Sequence, residues 1–267
     1  MKTIEAPIQK KEIRIPSNRL KHSFTILLLI SIIWLSGWKV EFSITSLING
    51  LPNMVDLLVE LFPPDLSYIN NVTQPMLETI RMAVLGTTFG AIISIPIALC
   101  SARNVATLPI ISIPSRFLLN LVRTIPDLLL AAFFVAVFGI GALPGIFALT
   151  IFSVGIIAKL TYEAIENIDP GPLEAMTAVG ANKIKWITYG VIPQVLSQFM
   201  SFVLYTFEVN VRAAAVLGLV GAGGIGLYYE RTLGFFEYDK TSTIILFTLI
   251  VVLIIDYLST KIRERLI

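Results

Sequence analysis

Charge, cysteine and histidine are all scarce in this chain. Of its 267 residues only 14% are Asp, Glu, Lys or Arg, against about 25% in an ordinary soluble domain. One cysteine, Cys100, and one histidine, His22, are present. A lone cysteine inside an apolar run excludes a disulfide framework and a Cys-rich metal site. A lone histidine in a basic tail builds neither a metal centre nor a catalytic relay, so no metal site, catalytic residue or cofactor is expected. The chain has no G-x-x-x-x-G-K-[ST] phosphate loop. No G-x-S-x-G setting supports a serine nucleophile. The net charge of +2 says little about partners, and nothing points to nucleic acid.

Apolar residues are what the chain has in abundance. They make up 55% of it, and the mean hydropathy is +0.82. The expected class is all-α, a polytopic membrane protein with about six transmembrane helices, each needing ~20 apolar residues. Residues 1–23 form a basic tail with Lys2, Lys10, Lys11, Arg14, Arg19 and Lys21. Residues 24–40 are the first span, closed by Trp34 and Trp38, which suit a membrane interface. Ser36-Gly37-Trp38-Lys39 is a poor cleavage site, so this span is expected to be retained. Over 41–74, Ile44, Leu47, Ile48, Leu51, Val55, Leu58 and Leu61 recur at helical spacing beside Asp56 and Glu60. That pattern predicts an amphipathic helix on the outer face, ended by Pro63-Pro64.

Residues 75–260 hold five further spans: about Pro75–Ser101, Ile113–Gly139 with a break near Pro126, Pro144–Tyr162, Ile192–Leu217 and Thr243–Leu258. Residues 261–267 form a second basic tail with Lys261, Arg263 and Arg265. Orientation follows from positive charge. With the N-terminus inside, the inner segments collect the six tail cations, Arg103, Arg116, Lys183, Lys185 and the three at the C-terminus. The outer segments keep Lys39, Arg231 and Lys240, with Arg81 near the outer end of its span. Both termini are therefore expected in the cytoplasm, together with the charged island at 163–193.

That island is anomalous in a chain otherwise made for lipid. Asp169-Pro170-Gly171-Pro172 stops one helix and starts another, with Pro172 suited to the first helical position. Glu174 is then expected in the first turn, at the positive end of the helix dipole. Ala175, Ala178 and Val179 fall on one side, where small side chains allow close approach of a partner, and Gly180 fits the position just past the helix end. A second segment, Asn182–Tyr189, carries Ile184, Trp186 and Ile187 before Pro193 opens the next span.

The run Glu174-Ala175-Met176, then Gly180, then Ile192-Pro193, resembles the EAA loop by which permease subunits of bacterial ABC importers contact their ATPase. Other strings are similar to the phosphonate-type importer permeases, whose branch includes phosphite and related phosphorus-oxyanion transporters. These are Glu78–Ala83, Ser101–Asn104, Arg123–Asp127, and Asn210-Val211-Arg212 with Gly218–Gly226. The resemblance covers about residues 75–260. It departs at Met176, the third residue of the EAA string, at Gly190, usually isoleucine, and at Ile192, usually leucine.

The resemblance implies the type I importer (MetI-like) fold, a bacterial inner-membrane location, and a second copy of the chain around a central path. It also implies ABC ATPase subunits bound at Glu174, Ala175, Met176, Gly180 and Pro193, and an extracytoplasmic substrate-binding protein. An ABC permease for another small solute such as methionine would share the loop; a non-transport membrane scaffold is a more distant alternative.

Three local signals need physical weighing. Gly221, Gly223, Gly224 and Gly226 satisfy G-x-G-x-x-G, but the dinucleotide fingerprint needs a βαβ setting, and Val209–Val220 here belong to a membrane span. A flexible, tightly packed non-helical turn near the outer mouth is expected instead, because such backbone is tolerated only where protein or water surrounds it. Gly86 and Gly90 are expected to permit close helix packing. Intramembrane charges are costly and usually functional. Glu208 and Arg212 stand four apart and either neutralise each other or present Arg212 to an oxyanion on the path. Arg123, with Asp127 as its expected partner, is a second path candidate, as is Asn210.

Overall fold

The computed structural model describes residues 19–266, so Lys2, Lys10, Lys11 and Arg14 of the basic tail lie outside the described residues. Every helix or strand element among the described residues is helical. The chain divides into two compact units at Asp56 and Leu57. In the first, α1 (Arg19–Lys39) is followed by a turn through Glu41 and then by α2 (Ile44–Glu60), which crosses the division. The helical stretches Ser23–Lys39 and Ile44–Glu60 meet at a 60° bend. Trp34 and Trp38 stack one turn apart at 6.2 Å. The apolar residues expected to form the face of α2, among them Leu47, Leu51 and Val55, are all exposed.

The second unit contains α3 (Ile69–Ser101), α4 (Pro109–Thr124), α5 (Asp127–Phe138), α6 (Ala142–Glu166) and α7 (Pro170–Ala178). The short α8 (Lys183–Lys185), α9 (Ile192–Leu217), α10 (Ile225–Gly234) and α11 (Tyr238–Arg263) follow. Four helical stretches are long and apolar enough to cross a membrane, or up to six spans if each bent pair counts as one. The helices of the second, fourth and sixth expected spans run past the expected ends, because their terminal turns are polar and carry no hydropathy signal. Residues 192–217 form a helix with the expected bounds.

Between α4 and α5 the axis turns by 85°. The cause is local: Pro126 has no N–H to donate, and its ring drives the preceding residue out of the helical region. Ile125 is extended at φ −79, ψ 122.

Close approach of α3 and α6, the most extensively packed pair, organises the bundle. A Cβ on Gly86 would sit 2.6 Å from Cβ of Leu149, and one on Gly90 would sit 2.3 Å from Cβ of Ser153. These two glycines let the backbones meet, as small residues do between membrane helices. One core cluster joins Ala98, Leu119, Tyr162, Leu173 and Val191, so the loop region is packed onto the ends of α3, α4, α6 and α9. A second gathers Met82, Leu149, Leu217 and Ala222, and a third Val72, Met76, Val211, Ile225 and Ile244. Outside these clusters lies a broad apolar surface, as lipid contact requires.

Candidate functional site

The island folds into a capped helix on a short stalk. Asp169 is the N-cap of α7, its carboxylate accepting from the Gly171 amide at 2.9 Å, and Pro170 occupies the first helical position. The helix therefore starts two residues earlier than expected. Pro172 sits third, and Glu174 falls in the second turn instead of the first. A proline at 170 is already pre-set for helix entry, and the aspartate before it supplies the cap.

The far end closes as a Schellman turn. Ala181 N–H donates to Met176 at 3.0 Å, Gly180 N–H donates to Thr177 at 3.0 Å, and Gly180 is left-handed at φ +73. After α8, residues Trp186–Val191 form a π-helical turn that runs directly into α9.

Three contacts fix this unit to the bundle. The Gln194 amide group donates to Gly190 at 2.7 Å, and its oxygen accepts from the Asp169 amide at 3.1 Å. The Trp186 indole donates to the carbonyl of Leu173 at 3.2 Å. Leu173 is buried over Gly190, where a Cβ would lie 2.8 Å from its Cδ2 and 3.9 Å from Cγ of Met176. Two departures from the EAA pattern, Met176 and Gly190, are thus neighbours, with side chain missing at one place and added at the other. Outward, Glu174, Ala175, Ala178, Val179, Gly180, Ile184 and Tyr189 are exposed. The open groove beside them is lined by Pro170, Leu173, Glu174, Thr177, Ala178 and Trp186.

Six polar residues of α9 fall on one line, while Ser197, Thr206 and Asn210 lie off it. Gln194, Gln198, Ser201, Tyr205, Glu208 and Arg212 recur at alternating steps of four and three, making one stripe along the helix. At its far end Glu208 accepts from Arg212 at 2.5 Å; the side chains are 8% and 49% exposed. Arg263, at the end of α11, approaches the other oxygen of Glu208 at 3.8 Å.

Asn210 lies off the stripe and is fully buried. Its amide nitrogen donates to Thr87 and to Ser153, both at 2.7 Å, joining α9 to α3 and α6. The two hydroxyls pass their own protons to backbone carbonyls one turn back.

Arg123 and Asp127 do not pair. The expected four-residue spacing presumes one continuous helix, and the bend at Pro126 removes it. Arg123 lays its stem over Gly155 of α6, where a Cβ would stand 2.8 Å from its Cγ. Asp127 instead accepts from the amide of Leu128 at 2.9 Å.

The glycine run after α9 is a knot with no spare volume. A Cβ on Gly226 would lie 2.2 Å from the carbonyl of Ala215, and one on Gly223 would lie 2.8 Å from the Ala142 nitrogen. Gly221, Gly223 and Gly224 have φ of 89, 84 and 70. The Ile225 amide donates to the hydroxyl of Thr79 at 2.8 Å, and the Gly141 amide to Gly221 at 3.0 Å. The knot thus ties α9 and α10 to α3 and α6.

Two participants carry no signal in the sequence: Thr87 and Ser153 look like ordinary hydroxyl residues in apolar helices. Arg263 carried only the signal of an inside charge. Arg116 was counted the same way, yet it pairs with Glu166 and donates to the Ser101 carbonyl at 2.7 Å. Glu166 in turn accepts from the Arg103 amide at 2.8 Å, so the ends of α3 and α6 are joined to α4. The helix α10 was also unforeseen.

Similarity to known proteins agrees with this architecture. The phosphite transport system permease protein of Stutzerimonas stutzeri is 37% identical over 241 residues, covering 90% of this chain and 88% of that protein. The phosphate-import permease protein of Mycolicibacterium smegmatis is 37% identical over 231 residues, which is 86% of this chain but 43% of that longer protein. Among solved structures, an inward-facing form of the MetNI methionine ABC transporter superposes with a TM-score of 0.67 at 22% identity. That match covers 75% of this chain and 98% of the other, and shows the fold alone. Residues 94–267 match the family described as binding-protein-dependent transport system inner membrane component, and the chain belongs to that family.

Proposed function

We propose that this chain is the membrane subunit of an ATP-driven importer for phosphite, phosphonates or a related phosphorus oxyanion. Two copies enclose the path, and an extracytoplasmic binding protein delivers the anion. ATPase subunits dock on α7 around Glu174, Ala175, Met176 and Gly180, below Pro193 at the root of α9. Both termini and the loop lie in the cytoplasm, and the knot of Gly221, Gly223, Gly224 and Gly226 stands at the outer gate. The cargo class comes from the relatives' names and from the strings around Arg123, Asp127 and Arg212.

The observation that carries the reading is the polar stripe of α9, ending in a half-exposed arginine. A ladder of amides and hydroxyls lets an anion exchange its water gradually. The planar fork of Arg212 then matches two oxygens of a phosphorus oxyanion. Exposure of Gln198, Tyr205 and Arg212 of that stripe in a single chain fits a path completed by a second copy. Arg212→Gln is expected to abolish uptake of phosphite and methylphosphonate while leaving the ATPase bound; unchanged uptake would sink the reading.

Coupling has its own test. The capped, rigid α7 transmits ATPase movement through Gln194 and Leu173 to α9 and α3. Gly180→Asp adds a charge at the docking face and strains a left-handed position. It should lower ATP hydrolysis stimulated by the loaded binding protein, and normal stimulation in that variant would refute the coupling role.

A further inference from the structure

We propose that Arg263 is a positioning residue for transport: it holds the carboxylate of Glu208 when Arg212 turns away to meet the anion. The idea rests on the reading that Arg212 serves the path.

The geometry is asymmetric in a useful way. Glu208 is buried, and its Oε1 is bound by Arg212 at 2.5 Å. Its Oε2 faces Arg263 at 3.8 Å, beyond hydrogen-bond distance but within ion-pair range. One carboxylate therefore has a close cation and a waiting one. The close cation is half exposed and stands on the polar stripe; the waiting one is 27% exposed, at the end of another helix.

A passing oxyanion must compete with Glu208 for the fork of Arg212. If Arg212 were the only counter-ion, each transfer would leave a bare carboxylate in a buried site, and such isolated charges are strongly unfavourable. A second guanidinium removes that obstacle. As Arg212 swings to the anion, Arg263 closes on Oε2; as the anion leaves, Arg212 returns. No proton moves, and two cations remain matched to one fixed and one passing anion. A preorganised exchange partner lowers the barrier without tightening substrate binding. Arg263 therefore affects the maximum rate of uptake, while the binding protein sets the half-saturating concentration.

The experiment uses cells carrying the whole importer and measures uptake of phosphite and of methylphosphonate for Arg263→Gln, Glu208→Gln and the double variant. Arg263→Gln is expected to lower the maximum rate about tenfold, with half-saturation unchanged and wild-type amounts of chain in the membrane. Glu208→Gln removes the competitor, so adding Arg263→Gln to it should cost nothing further. Arg263→Lys keeps the charge and should retain most of the rate, which protects the test should the glutamine variant fold poorly.

Wild-type uptake by Arg263→Gln, or losses that multiply in the double variant, would overturn the proposal. A purely structural role for Arg263 predicts multiplication, because rescue by Glu208→Gln requires that the two groups act on one event. Normal uptake by Arg212→Gln would fail the underlying path reading instead, so the two failures are separable.

Discussion

Two glycine-ended turns in this chain use the same residue for opposite reasons. At the end of α7, Gly180 faces open space: a Cβ there would meet nothing within 4 Å, and only its φ of +73 favours glycine. In the knot that leads into α10, Gly226 (its second residue) and Gly218 are needed for room, with would-be Cβ contacts of 2.2 and 2.5 Å to backbone atoms. The exposed turn leaves open space around its glycine, whereas the buried one brings four helices within touching distance. A run that formally matches a nucleotide fingerprint is therefore packing, and an isolated glycine on the surface is there for its backbone conformation alone.

The largest effect that could break this contrast lies in the knot. Gly226→Ala places a methyl group against the Ala215 carbonyl and the Gly218 backbone, which are main-chain atoms with no rotamer to yield. It should cost about 3 kcal/mol or more, and thermal unfolding in detergent should show little folded chain. A well-folded Gly226→Ala would mean that the knot has slack. Next is Gly180→Ala, which has room but carries left-handed strain of about 1 kcal/mol. Its melting temperature should fall by a few degrees, and Gly180→Asn should recover much of that, since asparagine tolerates the conformation. Smallest is Glu174→Ala on the exposed face of α7, expected to change stability by no more than about 0.5 kcal/mol. Its effect should appear in a different measurement, as reduced co-purification of the ATPase. Loss of stability without loss of the ATPase would assign Glu174 to the fold.

The legible parts of this molecule are those with local causes. Apolar runs locate the long helices because lipid selects them residue by residue, and the Asp169–Pro172 run with Gly180 brackets a helix because capping is a short-range matter, although the helix begins at Pro170 and not at Pro172. The helix ends were less legible, since polar terminal turns look like loop. Asn210 could be singled out, but not its partners Thr87 and Ser153, which lie 123 and 57 residues away with no periodicity to announce them. The pairing expected of Arg123 and Asp127 fails for an instructive reason. The proline between them carries the rule that breaks the helix, and that rule outranks the spacing. α10 escaped notice because it is short, mixed in character and placed by the knot before it.

The π-helical turn at Trp186–Val191 has a consequence for how such proteins can diverge. A π turn holds one residue more than a regular helical ladder accommodates. Removing a single residue there would restore the ladder and swing α7 about 100° around the axis of α9. Every membrane-facing side chain would stay where it is. The aim of α7 is thus written in chain length: a one-residue deletion would re-aim its exposed face, whereas substituting all six residues of the turn at constant length would not.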